Sequence, residues 1–138
     1  MVQTPRFMLD TNICIYIRQK KSPQVAAAAA KLKPGVAVMS VVTYGELRVW
    51  VERHAQRERA LEQITELKRL AAVLPLSPEV GEEYAAIRAH LQARGEVIGS
   101  NDLWIAAHAK AEGLTLVTNN ENEFKRVPGL KVQNWAKP

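Results

Sequence analysis

The chain has 138 residues, 47% hydrophobic and 24% charged, with one cysteine and a formal net charge of +5. That length supports one domain over residues 1–138 with a core that needs neither disulfides nor a structural metal, and the composition excludes a disordered chain. No apolar run approaches the roughly 20 residues that span a bilayer, and the run Phe7 to Leu9 stops at Asp10, so no membrane span or signal peptide is expected and a reducing, cytoplasmic location is.

In chain order, Arg6 to Leu9 reads as a short buried strand ending at Asp10, and Thr11 to Arg18 follows with helical spacing. The lone Cys14 falls inside that apolar stretch, where a buried, inert thiol is expected. Ser22 and Pro23 are a cap and first-turn signal for a helix from Gln24 to Leu32, which Pro34 and Gly35 stop. Val36 to Met39 is a β-branched strand, after which Ser40 can cap a helix from Val41 to His54. From Arg57 to Ala71 the apolar positions recur at three- and four-residue spacing, which predicts an amphipathic helix hairpinned on the one before it. Val73 to Leu76, interrupted by Pro75, predicts a short edge strand. Ser77 and Pro78 open a helix that Gly95 ends near Arg94. Gly99, Ser100 and Asn101 lead into a helix from Asp102 to Ala111, closed by Gly113. Leu114 to Val117 is the next strand, and the tail after the Pro128-Gly129 turn supplies a last strand-like piece. Strands alternating with helices predict an α/β fold, a parallel sheet with helices on both faces.

Four acids stand at the ends of those strands or the starts of those helices: Asp10, Glu46, Asp102 and Glu123. In a parallel sheet the strand ends share one side, so distant acids can meet at the carboxyl edge, where hard oxygen ligands suit Mg²⁺ or Mn²⁺ and phosphodiester chemistry. Each has a plainer explanation. Asp10 can simply cap the helix that begins at Thr11, with Asn12 beside it to hold the carboxylate or a water. Glu46 has apolar helical neighbours in Val42, Val49 and Trp50, so its charge needs a cation: a metal, or an arginine in a structural ion pair. Asp102 sits in a first turn, where capping and the helix dipole already favour acids. Glu121 and Glu123 follow the strand LTLV and the polar run Thr118, Asn119, Asn120. One of the two can reach the pocket, yet a short surface helix explains both, and Thr118 and Asn119 can hold a water or merely form a turn.

The cations gather as Arg18 to Lys21, Arg53 to Arg59, Lys68 with Arg69 and Lys125 with Arg126, and the sequence pI is near 9.6. A basic surface around an acidic pocket is the layout that draws a polyanion to a metal, although such clusters are often only solvated helix faces. Other chemistries are disfavoured. His54, His90 and His108 lack metal-ligand spacing, no GxSxG elbow is present, and no glycine-rich phosphate loop occurs.

The runs FMLDTN, YGEL, IGSNDLWIAAHA and LVTNNENEF, in this order and spacing, resemble the PIN-domain ribonucleases, most of all the VapC-type toxins of toxin–antitoxin pairs. The similarity extends from Met8 to Trp135. It implies a three-layer α/β/α sandwich around a short parallel sheet, and a Mg²⁺-dependent endoribonuclease, with Mn²⁺ as a substitute, acting on RNA, tRNA among the candidates. It also implies Asp10 and Asp102 as direct metal ligands, Glu46 acting nearby or through water, and Glu123 as the fourth acid, where many relatives carry aspartate and Glu121 is only two residues away. The implied partners are a cognate antitoxin and a second copy of the chain in a homodimer or larger assembly. Trp50 or Val51 on the third helix can serve such a contact, although a core role is the plainer expectation for each. Two alternatives remain open at this point: a non-catalytic RNA- or protein-binding module on the same fold, and a PIN nuclease of RNA processing or DNA repair without an antitoxin.

Overall fold

The apolar run at the amino terminus becomes the central strand of the sheet because both of its edges find partners. In the computed structural model, which describes residues 4–137, β1 (Phe7–Leu9) pairs in parallel with β2 (Ala37–Ser40) on one side and β4 (Thr115–Val117) on the other. The sheet is completed by β3 (Ala71–Leu74) beside β2 and β5 (Val132–Gln133) beside β4, giving the order β3-β2-β1-β4-β5 with every pair parallel. The connections are helical: α1 (Thr11–Gln19) and α2 (Pro23–Ala30), α3 (Val41–Arg53) and α4 (Arg57–Leu70), α5 (Pro78–Ala93) and α6 (Ser100–Ala111), then the short α7 (Glu121–Phe124). The expected domain span of 1–138 includes residues 1–3 and 138, which lie outside the described residues.

Alternating side chains of the strands feed two cores. Met8, Val38 and Leu116 face α5, α6 and α7, where they pack with Ile87, Leu91, Ile105 and Phe124. Leu9, Met39 and Val117 face α1 to α4, packing with Ile13, Leu47, Ile64 and Leu67. The result is the expected three-layer α/β/α sandwich. None of the helices among the described residues is long and apolar enough to cross a membrane.

The third strand lies two residues earlier than Val73 to Leu76. The α4 helix stops at Leu70, and Ala71 is already extended, because Ala71–Leu74 can pair along the whole of Ala37–Ser40. Pro75, with no N–H to give, ends the pairing, and the strand is an edge strand as its proline requires. Gly95 and Gly113 adopt φ values of 68° and 69°, the left-handed conformation that lets α5 and α6 end sharply.

The winding creates the site. The chain moves outward from β1 to β2 to β3, then returns to the other side of β1 for β4, so the connections leaving β1 and β4 diverge. Such a switch point opens a crevice at the carboxyl ends of those two strands. Asp10 is the residue after β1 and Thr118 the residue after β4.

Candidate functional site

Asp10 is only 3% exposed. Its Oδ1 accepts the Ile13 N–H at 2.9 Å, so it does cap α1, as the plainer reading holds. Capping does not account for its burial without a positive partner. Burial pushes its pKa up from 3.8 to about 6; the Thr118 hydroxyl and the Ile13 N–H oppose that rise and the charge of Glu46 adds to it.

Glu46 reaches the same edge from α3. Ser40 caps that helix by accepting the Val42 N–H at 3.1 Å, and the buried face of α3 is Thr43, Leu47 and Val51. Glu46 lies at the margin of that face, and its neighbour Val49 is 50% exposed, which corrects the expectation of a carboxylate inside an apolar stripe. Spacing alone does not tell which side of a helix the sheet covers. No arginine or lysine among the described residues pairs with Glu46. Its Oε1 instead accepts the Thr11 hydroxyl at 2.6 Å, and Thr11 also lies 3.2 Å from the Thr43 hydroxyl. Thr11 therefore belongs to the site although the sequence drew no attention to it; its place next to Asp10 was the only available signal.

Asp102 occupies the third position of α6, whose N-cap is Gly99, and no side chain caps that helix. Capping thus fails as its explanation. Asp102 is half-buried, and burial raises its pKa from 3.8 to about 6, with the charges of Glu123, Asp10 and Glu46 pushing the same way. The four predicted acids thus lie close enough at one edge of the sheet to feel one another's charge.

Glu121 and Glu123 separate cleanly. Both lie on α7, the short helix of the plainer reading, and the buried Phe124 anchors it to the core. Glu121 is ion-paired with Lys137, which holds its carboxyl below the usual range. Glu123 turns toward Asp102. Its Oε1 accepts the Gly99 N–H at 3.1 Å and its Oε2 the Asn120 amide at 2.6 Å, tying α7 to the start of α6.

The supporting residues divide. Thr118 is fully buried, its oxygen accepting the Asn120 N–H at 2.9 Å while its proton is free for Asp10. Asn119 donates to the Tyr16 hydroxyl at 2.8 Å, and its own carbonyl oxygen is buried without a donor. The Asn12 side chain is exposed and forms no hydrogen bond among the described residues; only its backbone N–H favours the Asp10 carboxylate. Outside the edge, Cys14 is buried, with its thiol pKa driven up by burial and by Asp10. His108 is a buried core group whose Nδ1 lies 2.8 Å from the Ser40 hydroxyl. Val51 is fully buried and Trp50 is half-covered, with the Arg18 guanidinium 3.8 Å from its ring centre.

The donor set fits a hard divalent cation. The ion pairs among the described residues all involve other acids, so four carboxylates share one edge with no protein cation to balance them. No three acidic, histidine or cysteine side chains among the described residues close tightly enough to enclose an ion. Two carboxylates plus waters is the coordination that Mg²⁺ favours, since it dehydrates reluctantly.

Fold and edge together define an α/β protein with a carboxylate cluster at its switch point, and residues 7–130 match the PIN domain: the chain belongs to the PIN-domain family. Among relatives, it is similar to Ribonuclease VapC2 of Haemophilus influenzae, 37% identical over 131 residues that cover 95% of this chain and 98% of the relative. It is likewise 37% identical to the tRNA(fMet)-specific endonuclease VapC of Shigella flexneri, with the same coverage. Among solved structures, the DNA-bound VapBC of Salmonella typhimurium superposes with a TM-score of 0.89 at 32% identity, over 96% of this chain and 99% of the other.

Proposed function

We propose that the protein is a Mg²⁺-dependent endoribonuclease, the toxin of a toxin–antitoxin pair, which hydrolyses phosphodiester bonds in RNA. The observation that carries this reading is the pair Asp10 and Asp102, two carboxylates raised to about 6 at the switch point with no cation among the described residues paired to them. A structural acid would be paired or solvated. A divalent cation held by them would supply a Lewis acid to acidify a water and neutralise charge growing on the phosphate oxygens.

The chain's own groups supply the rest. Asp10 and Asp102 would hold the ion; Asp10 is kept rigid by its bond to the start of α1. Glu46, with Oε1 engaged by Thr11, presents its second oxygen to take the proton of the attacking water. The water oxygen bonds to phosphorus, the P–O3′ bond breaks, and the departing 3′-oxygen takes a proton from solvent, so that the products are a 5′-phosphate and a 3′-hydroxyl. Glu123 braces α7 against Gly99 and adds negative potential beside Asp102.

The named relatives support an RNA substrate, with tRNA as the first to try, and the VapBC complexes among the structural neighbours support an antitoxin partner and assembly beyond one chain. The test is cleavage of pooled end-labelled cellular RNA, tRNA included, with Mg²⁺, with EDTA, and by Asp10→Asn. Discrete cuts lost in both controls are expected. RNA binding without any cleavage by wild type would sink the nuclease reading in favour of a binding module.

A further inference from the structure

The acid edge repels the very polymer it would cut, so backbone phosphates must be gripped elsewhere. Beside the edge lies an open groove of about 400 Å³ between the end of α5, the 94–99 connection and α7, lined by His90, Arg94, Glu96, Asn122, Lys125, Arg126 and Pro128. We propose that this groove binds the sugar–phosphate backbone of RNA next to the scissile bond, an inference that rests on the nuclease reading above.

Charge comes first. The one acid of the lining, Glu96, is paired with Arg94 at 3.2 Å, and Glu121, whose carboxyl feels the charge of Lys125, is ion-paired with Lys137. Lys125 and Arg126 are exposed and have no carboxylate partner among the described residues. Two uncommitted cations in a concave wall are a feature that a phosphodiester chain satisfies. Arg126 spends one donor on the Val97 carbonyl, 3.1 Å away, and keeps its others for a ligand.

Geometry comes second. Glu123 holds Gly99 from α7, and Arg126 holds Val97 from the same segment, so α7 is sutured twice to the 94–99 connection. One wall therefore carries the acid edge on one side and the basic groove on the other. A phosphate seated on Lys125 and Arg126 would be held at a fixed offset from Asp102. An acidic peptide is a poorer occupant, because Pro128 is the only apolar side chain of the lining and protein partners draw most of their energy from apolar anchors.

The experiment measures binding of a labelled single-stranded RNA against salt, in the Asp10→Asn background to prevent cleavage, with and without K125A/R126A. The control is K31A/K33A, which removes the same charge from the end of α2 in the opposite layer. Loss of two phosphate contacts lowers the slope of log K against log salt by about 1.4, equivalent to an affinity loss about sevenfold smaller between about 50 and 200 mM salt. The groove variant should show this and the control should not. In the active protein, K125A/R126A should raise KM for RNA while leaving kcat within about twofold, and K125R/R126K should restore KM. An unchanged slope and KM, or a fall in kcat alone, which would make Arg126 a mere tether for α7, overturns the groove while leaving the nuclease intact. Absence of cleavage by wild type overturns both.

Discussion

Two carboxylate environments in this molecule are opposites. On the outer surface, Glu52 is exposed and gripped by Arg57 at 2.8 Å and Arg48 at 3.3 Å, and the Arg57 bond leads in holding its pKa below the usual range. At the carboxyl edge of the sheet, Asp10 is buried, bonded only to N–H and O–H groups, and raised to about 6. The first arrangement is what a charged side chain adopts when nothing but solubility and local order is asked of it. The second costs stability, and a fold keeps it when a cation from outside is to complete it. The same contrast recurs within α7, where Glu121 has its lysine and Glu123, two residues on, faces another acid.

The largest expected effect comes from removing the charge at the edge. Asp10→Asn keeps a good cap for α1, so folding should survive, while cleavage should fall about 10³-fold, the equivalent of several kcal/mol of lost electrostatic stabilisation. The same variant sharpens the contrast thermodynamically. In metal-free protein Asp10 has a folded pKa of about 6 against 3.8 when unfolded. Its protonated form is therefore favoured by folding, and the associated stability is present below pH 3.8 and lost as pH rises through 6. At about 1.4 kcal/mol per pH unit, Asp10→Asn should be more stable than wild type by about 3 kcal/mol at pH 7, a gap that closes toward pH 4 in thermal or urea melts. A gap that stays constant with pH would mean that the carboxylate is not strained by burial.

Next in size is the ion itself. Mg²⁺ at 100 times its dissociation constant should stabilise wild type by about 2.7 kcal/mol, a Tm rise of several degrees that Asp10→Asn should not show. Thr11→Val, which strips Glu46 of its hydroxyl donor, should lower cleavage about tenfold, and Thr11→Ser should keep most of the activity. Equal losses in the two would mean that the hydroxyl donor alone does not account for the effect. Glu123→Gln is expected to be milder. One oxygen can still accept, but the new amide meets either the Gly99 N–H or the Asn120 amide, for a stability loss of about 1 kcal/mol by denaturant melt. Glu52→Ala should be the smallest: unchanged cleavage and a Tm difference at the limit of detection. A large loss there would erase the distinction between the two environments.

Much of this was legible from residues in order. The apolar run ending at Asp10, the cap at Ser40 and the glycines at 95 and 113 are local signals, and the structure places β1, α3 and the ends of α5 and α6 accordingly. The features that depart from local signals depend on partners far along the chain. The third strand starts at Ala71 because β2 is there to pair with it, and Glu46 sits at the margin of its helix's buried face because the sheet covers Thr43 and Leu47 instead. Asn12 looked well placed beside Asp10 but projects into solvent, whereas Thr11, one residue earlier, points to Glu46 across 35 positions of sequence.

The sequence by itself determined the alternation of strands and helices, the acids at their junctions and the family resemblance, since propensity, capping and motif spacing are written in neighbouring residues. Only the tertiary structure decided that β4 lies beside β1, that Glu123 and not Glu121 faces Asp102, and that the acids meet without a paired cation among the described residues. Those outcomes depend on which surfaces the sheet order brings together, and Coulomb repulsion, desolvation and hydrogen bonding act through space rather than along the chain.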